Sequence, residues 1–278
     1  MGKCTMDLIC TDVGSGPALV LLHGFPFNRS MWREQIDFLS ARDFRVVAPD
    51  LRGLGEMSDK LQFVAGGGKS RRQAEAYRTL TTMEDMARDV AALMDHLKID
   101  RATICGLSMG CYVAFEFVYL FPARVPALVL CGPRAQGPDD EEKNSREAQA
   151  QRLLTEGIQF AVPSISKSLL AEMTLKEKPE VVEHVRDMVL HTDPRGAAAA
   201  QRGMAARRDY SDELANITVP TLIIAGREDG VRKPEDAEFI HRGIRGSQLV
   251  TIDDAGHLMN MEQPEIFNGV MLEFFSKS

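Results

Sequence analysis

Residues 106–110 read Gly-Leu-Ser-Met-Gly, a serine with a glycine two places away on either side. A serine hydroxyl attacks a carbonyl carbon only when a base removes its proton. Ser108 therefore acquires chemical meaning only beside a histidine and a carboxylate that holds that histidine. Of the six histidines, His257 in Asp-Asp-Ala-Gly-His follows the last strand-like run and precedes the final helix-like one. His96, His184, His191 and His241 fall within helix-period stretches and read as packing or surface residues. For the carboxylate, Asp229 ends the run TLIIAGRED, and its neighbour Glu228 should point to the opposite side if strand geometry persists. Asp253 and Asp254 are nearer in sequence, but a neighbour on the same loop is badly placed to grip the ring. Asp229 is the expected acid.

The two glycines have a steric reading. A strand that turns sharply into the helix-like MGCYVAF forces Ser108 into a strained backbone conformation, and side chains at Gly106 and Gly110 would crowd strand against helix. The turn also puts the N–H of Met109 at a helix N-terminus, where it can donate to an oxyanion formed on the attacked carbonyl. A second donor is expected from the N–H of Phe25 in HGFPFN, with His23 and Gly24 fixing that loop and His23 read as structural. An imidazole base must be neutral to accept the serine proton, so activity is expected to fall below roughly pH 6.5.

These residues need a scaffold. ALVLLHG (18–24), FRVVAPD (44–50), ATICGLS (102–108), ALVLCGP (127–133), TLIIAGRED (221–229) and SQLVTIDD (247–254) are continuous apolar runs, which predicts a parallel sheet buried on both faces. The stretch 83–97, with Met86, Val90, Leu93 and Leu97 on one face, and the stretch 109–122, ended by Pro122, read as crossover helices. The opening stretch 5–13 offers one or two short strands. Between Pro133 and Asn216 the rhythm breaks into helix-like segments punctuated by prolines, predicting about four inserted helices. The expected division is a core of residues 1–133 and 216–278 with a helical cap, 134–215, in between.

Composition narrows the function classes. A formal charge of −7 over 278 residues argues against a nucleic-acid partner. The start has no apolar stretch of signal-peptide length, and no run reaches the length of a membrane-spanning helix, so a cytoplasmic protein without a membrane partner is expected. The five cysteines, Cys4, Cys10, Cys105, Cys111 and Cys131, are odd in number and unclustered, which reads as reduced, buried thiols with no metal site. GGGKS within 61–73 lacks the first glycine and the preceding strand of a phosphate-binding loop and reads as a flexible, basic surface loop.

Taken in order, HGFPFN, DLRGLGEMS (50–58), GLSMG, AGREDGV and DDAGH resemble the α/β-hydrolase superfamily over nearly the whole chain, most closely the small capped esterases and the 3-oxoadipate enol-lactonase group. The resemblance implies a twisted, mostly parallel sheet flanked by helices, a helical cap, and a Ser108–Asp229–His257 triad that needs no cofactor. The implied activity is hydrolysis of a small carboxylic ester or lactone. Two alternatives share the fold: hydrolysis of a carbon–carbon bond, with a weak perhydrolase side activity also compatible, and ligand sensing with slow turnover that signals to a protein partner. Cys111 departs from the glycine many members carry; a thiol in the first helical turn invites reactivity, against the plainer reading of a packing thiol. In the insertion, Met173, Met188 and Met204 suit an adaptable acyl pocket, and Arg186, Arg195, Arg202, Arg207 and Arg208 suit a substrate carboxylate. Core packing and solvated helix faces are the competing readings.

Overall fold

The computed structural model describes residues 8–55 and 79–277. The 61–73 segment, read above as a surface loop, lies outside the described residues.

Seven strands form one sheet: β1 (Cys10–Val13), β2 (Ala18–Leu22), β3 (Arg45–Pro49), β4 (Thr103–Leu107), β5 (Leu128–Cys131), β6 (Thr221–Gly226) and β7 (Gln248–Ile252), in the order β1-β3-β2-β4-β5-β6-β7. Only β1 is antiparallel, pairing with β3; the other neighbours are parallel. The runs of β2 to β6 are buried on both faces as expected, but β7 is not: at the edge of the sheet, its Gln248 and Thr251 are exposed. Val20, Leu22 and Ile104 face one core layer, while Leu19, Leu21 and Cys105 face the other, the alternation a strand imposes.

Helices cover both layers. On one side α2 (Met83–His96), whose N-terminus is closed by a reciprocal Thr82–Asp85 capping box, packs on α3 (Met109–Leu120). On the other, α1 (Arg33–Ser40) packs against the C-terminal helix. From β2 the chain steps out to β3 and returns to β4 on the far side of β2, so the winding direction reverses between β2 and β4. The crevice beyond the carboxyl ends of strands at such a reversal is where ligands bind in open α/β sheets. Ser108 is the first residue after β4.

Five helices, rather than about four, lie between β5 and β6: α4 (Asp140–Glu156), α5 (Val162–Leu169), α6 (Glu172–Glu177), α7 (Pro179–Leu190) and α8 (Pro194–Ala205). The six residues of α6 are too few to show a 3.6-residue apolar period. α4 packs along α8, and α8 sits directly on the core. A Cβ on Gly196 would lie 1.7 Å from the Gly53 carbonyl oxygen, and one on Gly203 1.7 Å from that of Thr81. Past β6 come α9 (Pro234–Gly243), α10 (Met259–Glu262) and α11 (Pro264–Lys277).

The expectation of five reduced thiols fails at Cys10, which is disulfide-bonded. Sequence spacing carries no information on which cysteines meet in space. Cys105, Cys111 and Cys131 are free and buried.

Candidate active site

The turn at Ser108 has the predicted strain. Ser108 adopts φ 55°, ψ −112° at the N-terminus of α3, a backbone conformation rare for any residue but glycine. The two glycines are there for space: a Cβ on Gly106 would lie 2.3 Å from the Gly110 carbonyl oxygen, and one on Gly110 2.2 Å from that of Leu22. The Ser108 N–H donates to the Cys131 carbonyl at 2.9 Å, tying the turn to the end of β5.

His257 and Asp229 meet. Nδ1 of His257 is 2.7 Å from Oδ2 of Asp229, with the side chains 3% and 2% exposed. The other carboxylate oxygen, Oδ1, accepts the N–H groups of Val231 and Arg232, each at 2.8 Å. Burial pushes the Asp229 carboxyl up, but the His257 charge and hydrogen bond, with those two N–H groups, outweigh it and hold the carboxyl below its ordinary value. Because Nδ1 faces an acceptor, Nε2 is the nitrogen left to take a proton. It is buried and has no hydrogen-bond partner among the described residues, Ser108 Oγ included. Glu228 lies apart from this pair, accepting the Glu172 N–H at 3.3 Å on the surface, and Asp253 pairs with Arg227 in solvent.

Gly132 joins the serine turn to this pair, and the sequence reading passed over it. With φ +55° it follows Cys131, and a Cβ there would lie 2.9 Å from Cε1 and 3.0 Å from Nδ1 of His257. The imidazole therefore rests on bare backbone. Only the Gly-Pro pair at the end of the β5 run hinted at a turn.

Glu262 is a second residue that the sequence reading missed, and nothing local in the sequence marks it. Fully buried, it accepts the N–H groups of Gly256 (2.9 Å) and Leu258 (3.2 Å) at Oε1, one on each side of His257. At Oε2 it accepts Ala171 N–H (2.7 Å) and Thr174 Oγ1–H (2.8 Å) from the helical insertion. Burial pushes this carboxyl up further than its four donors draw it down. The His257 N–H itself donates to the Leu169 carbonyl at 2.7 Å, so the loop carrying the imidazole is bonded to the insertion at several points.

The HGFPFN loop is equally well fixed. Leu51 N–H donates to His23 Nε2 at 2.9 Å, which leaves Nδ1 as the protonated nitrogen, 2.9 Å from the Gly24 carbonyl. Burial lowers the His23 pKa, ahead of an opposing pull from Asp50, and a neutral, structural ring agrees with the sequence reading. Phe25 precedes a cis peptide bond to Pro26, and the Pro26 carbonyl accepts Thr192 Oγ1–H from the insertion at 2.6 Å. Among the described residues, neither the Phe25 nor the Met109 N–H is taken up in a backbone hydrogen bond.

Other candidates resolve toward packing. Cys111 Sγ–H donates to the carbonyls of Gly106 (3.1 Å) and Cys131 (3.3 Å), and burial pushes its thiol far up, which opposes reactivity. Met188 and Met204 are core residues. Arg186, Arg195, Arg202, Arg207 and Arg208 pair with Glu183, Asp193, Glu147, Glu142 and Glu116 respectively. Among the described residues no group of acidic, cysteine or histidine side chains could hold a metal ion, and no helix is long and apolar enough to cross a membrane.

Residues 17–264 match the alpha/beta hydrolase fold family, and the chain belongs to it. A thermophilic esterase from Thermogutta terrifontis, described with malate bound, is 39% identical with a TM-score of 0.88 over 97% of this chain and 93% of its own. The enol-lactonase from Burkholderia xenovorans LB400 is 28% identical, TM-score 0.82, over 97% and 96%. The 3-oxoadipate enol-lactonase 2 of Acinetobacter baylyi is 29% identical over 91% of this chain and 86% of its own. Similarity to these proteins supports a hydrolase that acts on esters or lactones.

Proposed function

We propose that the protein cleaves a small carboxylic ester or lactone through an acyl-enzyme on Ser108. The observation that carries this reading is the buried His257–Asp229 pair at 2.7 Å, its Nε2 unpartnered and its ring resting on Gly132, the residue after the Cys131 carbonyl that holds the strained Ser108 turn. In the reaction, Oγ of Ser108 bonds to the carbonyl carbon as its proton passes to Nε2 of His257, and the carbonyl electrons move onto oxygen. The N–H groups of Phe25 and Met109 donate to that oxyanion. Collapse of the intermediate breaks the carbon–oxygen bond to the leaving group, which takes the proton from Nε2. Water then repeats the sequence on the acyl-enzyme, with His257 as base, and releases the acid and the free serine. Asp229 holds the Nδ1–H tautomer and stabilises the imidazolium. The helices 134–215 act as a cap over the acyl site.

Hydrolysis of p-nitrophenyl acetate and butyrate by wild type and Ser108→Ala tests the reading, together with labelling by a fluorophosphonate probe. Loss of several orders of magnitude in kcat, and loss of the label, are expected. Equal rates in the two proteins reject Ser108 as nucleophile. Turnover that halts near one equivalent with a stable acylated protein points to ligand sensing instead.

A further inference from the structure

A cavity of about 380 Å³ lies between the start of α4 and the loop after Asp229, with Arg134, Arg146 and Arg232 and the carboxylates Asp139, Glu141 and Glu142 in its wall. Glu142 is already a ligand of this cluster. Its carboxylate is held by Arg146 at 2.7 Å, by Arg207 at 2.9 Å and by Arg134 at 3.6 Å. Arg232 is the exception: among the described residues it pairs with no carboxylate, and its Nη2 donates to Tyr112 Oη at 2.6 Å. Nε of Arg134 and Nε of Arg232 are buried without an acceptor, although buried N–H groups ordinarily have one. Three guanidinium groups thus share the Glu142 carboxylate, and Arg232 lines the same cavity without one.

The cavity adjoins the candidate active site along the chain. Arg232 is three residues beyond Asp229, Arg134 two beyond Gly132, and Tyr112 one helical turn beyond Ser108. Three residues bound a Cα separation at about 10 Å. We propose that this cavity is a subsite for a carboxylate carried by the substrate, with the Arg232 guanidinium as its principal partner. The cluster already shows that a carboxylate is what it holds, and the guanidinium fork matches one in two parallel hydrogen bonds. The inference rests on ester cleavage at Ser108 and names the substrate class for it; the arginines first suspected, Arg186 to Arg208, are committed to protein carboxylates.

Two substrate pairs test it. Mono-p-nitrophenyl glutarate against p-nitrophenyl pentanoate varies the acyl end, and 4-carboxyphenyl against 4-carbamoylphenyl pentanoate varies the leaving group. In one pair the wild-type kcat/KM is expected to favour the carboxylate by about tenfold or more, as charge-assisted recognition allows. That ratio should collapse in Arg232→Met and recover partly in Arg232→Lys. Ratios near one in both pairs, or a ratio that Arg232→Met leaves intact, overturn the proposal. A folding failure of Arg232→Met transfers the test to Arg134→Met. A binding readout independent of turnover is the melting temperature of Ser108→Ala with free glutarate or inorganic phosphate. Glutarate should raise it, and the rise should vanish when Arg232→Met is added. No rise with glutarate, or an equal rise with phosphate, counts against a carboxylate subsite. A glutarate-specific rise with both substrate ratios at one means a free carboxylate binds there, which also overturns the proposal. If no ester is turned over at all, the Ser108 reading fails, while the glutarate shift still decides the subsite.

Discussion

Asp229 presents its two carboxylate oxygens to different partners: Oδ2 to Nδ1 of His257 at 2.7 Å, and Oδ1 to the N–H groups of Val231 and Arg232 at 2.8 Å each. The backbone donors dictate what an amide would do here. In Asp229→Asn the remaining oxygen stays with Val231 and Arg232, and the NH2 group faces Nδ1, which must then become the acceptor. The proton moves to Nε2, the wrong nitrogen for a base. A fall in kcat of about 10⁴ is expected, as for the equivalent change in serine proteases, with the circular dichroism unchanged. Asp253→Asn and Asp254→Asn should stay near wild type. Asp253 pairs with Arg227 in solvent, and Asp254 sits at φ 53°, a conformation that asparagine tolerates. A larger loss at either neighbour would displace Asp229 as the acid.

Gly132→Ala should disable the site without unfolding the protein. The new Cβ needs the space 2.9 Å from Cε1 of His257 and a φ of +55°. The ring must move, and a displacement of an ångström in a reacting group costs about 10²-fold in rate. Comparison of kcat with the thermal midpoint checks this: a variant as active as wild type would show that the imidazole does not need that floor.

Glu262→Gln replaces a carboxylate that accepts four donors with an amide that has one accepting oxygen. If that oxygen keeps Gly256 and Leu258, the NH2 group opposes the Ala171 N–H, and an orphaned buried donor costs about 1–3 kcal/mol. A lower melting temperature is expected, with kcat reduced because the same side chain brackets His257. Unchanged stability and unchanged kcat would reduce Glu262 to a bystander.

Glu142 makes stability depend on acid. Burial pushes its carboxyl up, but hydrogen bonds and charge from Arg207 and Arg146 prevail and hold it down at about 2. A carboxyl depressed in the folded state contributes stability above its unfolded value of about 4.3, and that contribution disappears as pH falls toward the folded value. Glu142→Gln should therefore melt lower than wild type at pH 7, with the difference closing between about pH 4.5 and pH 2. A difference that persists at the acid end would assign the effect to packing.

The serine turn was legible because its cause is local. Two glycines, a strand before and a helix after all lie within a dozen residues, and the alternation that separated Asp229 from Glu228 is equally local. Gly132 and Glu262 escaped for the opposite reason. Gly132 meets His257 only across 125 residues of chain, and the Glu262 bonds to Ala171 and Thr174 span 91 and 88 residues. The partners of the insertion's arginines were hidden in the same way. A helix-borne Arg202 looks available in sequence, and only the packing of α4 on α8 brings it Glu147. Cys10 shows the same limit, since a disulfide is set by a meeting in space.

The contact of α8 with the core bears on exchange of the insertion between relatives. At Gly196 and Gly53 two backbones touch without side chains between them, and the Thr81 N–H donates to the Ala199 carbonyl at 3.2 Å. In mechanical terms α8 is part of the floor, although the chain delivers it among the inserted helices. A graft cut at residues 134 and 215 would carry a foreign helix onto Gly53, and any Cβ at the position of Gly196 would strike it. A transplant that ends before Pro194 leaves that seam native and replaces only α4 to α7.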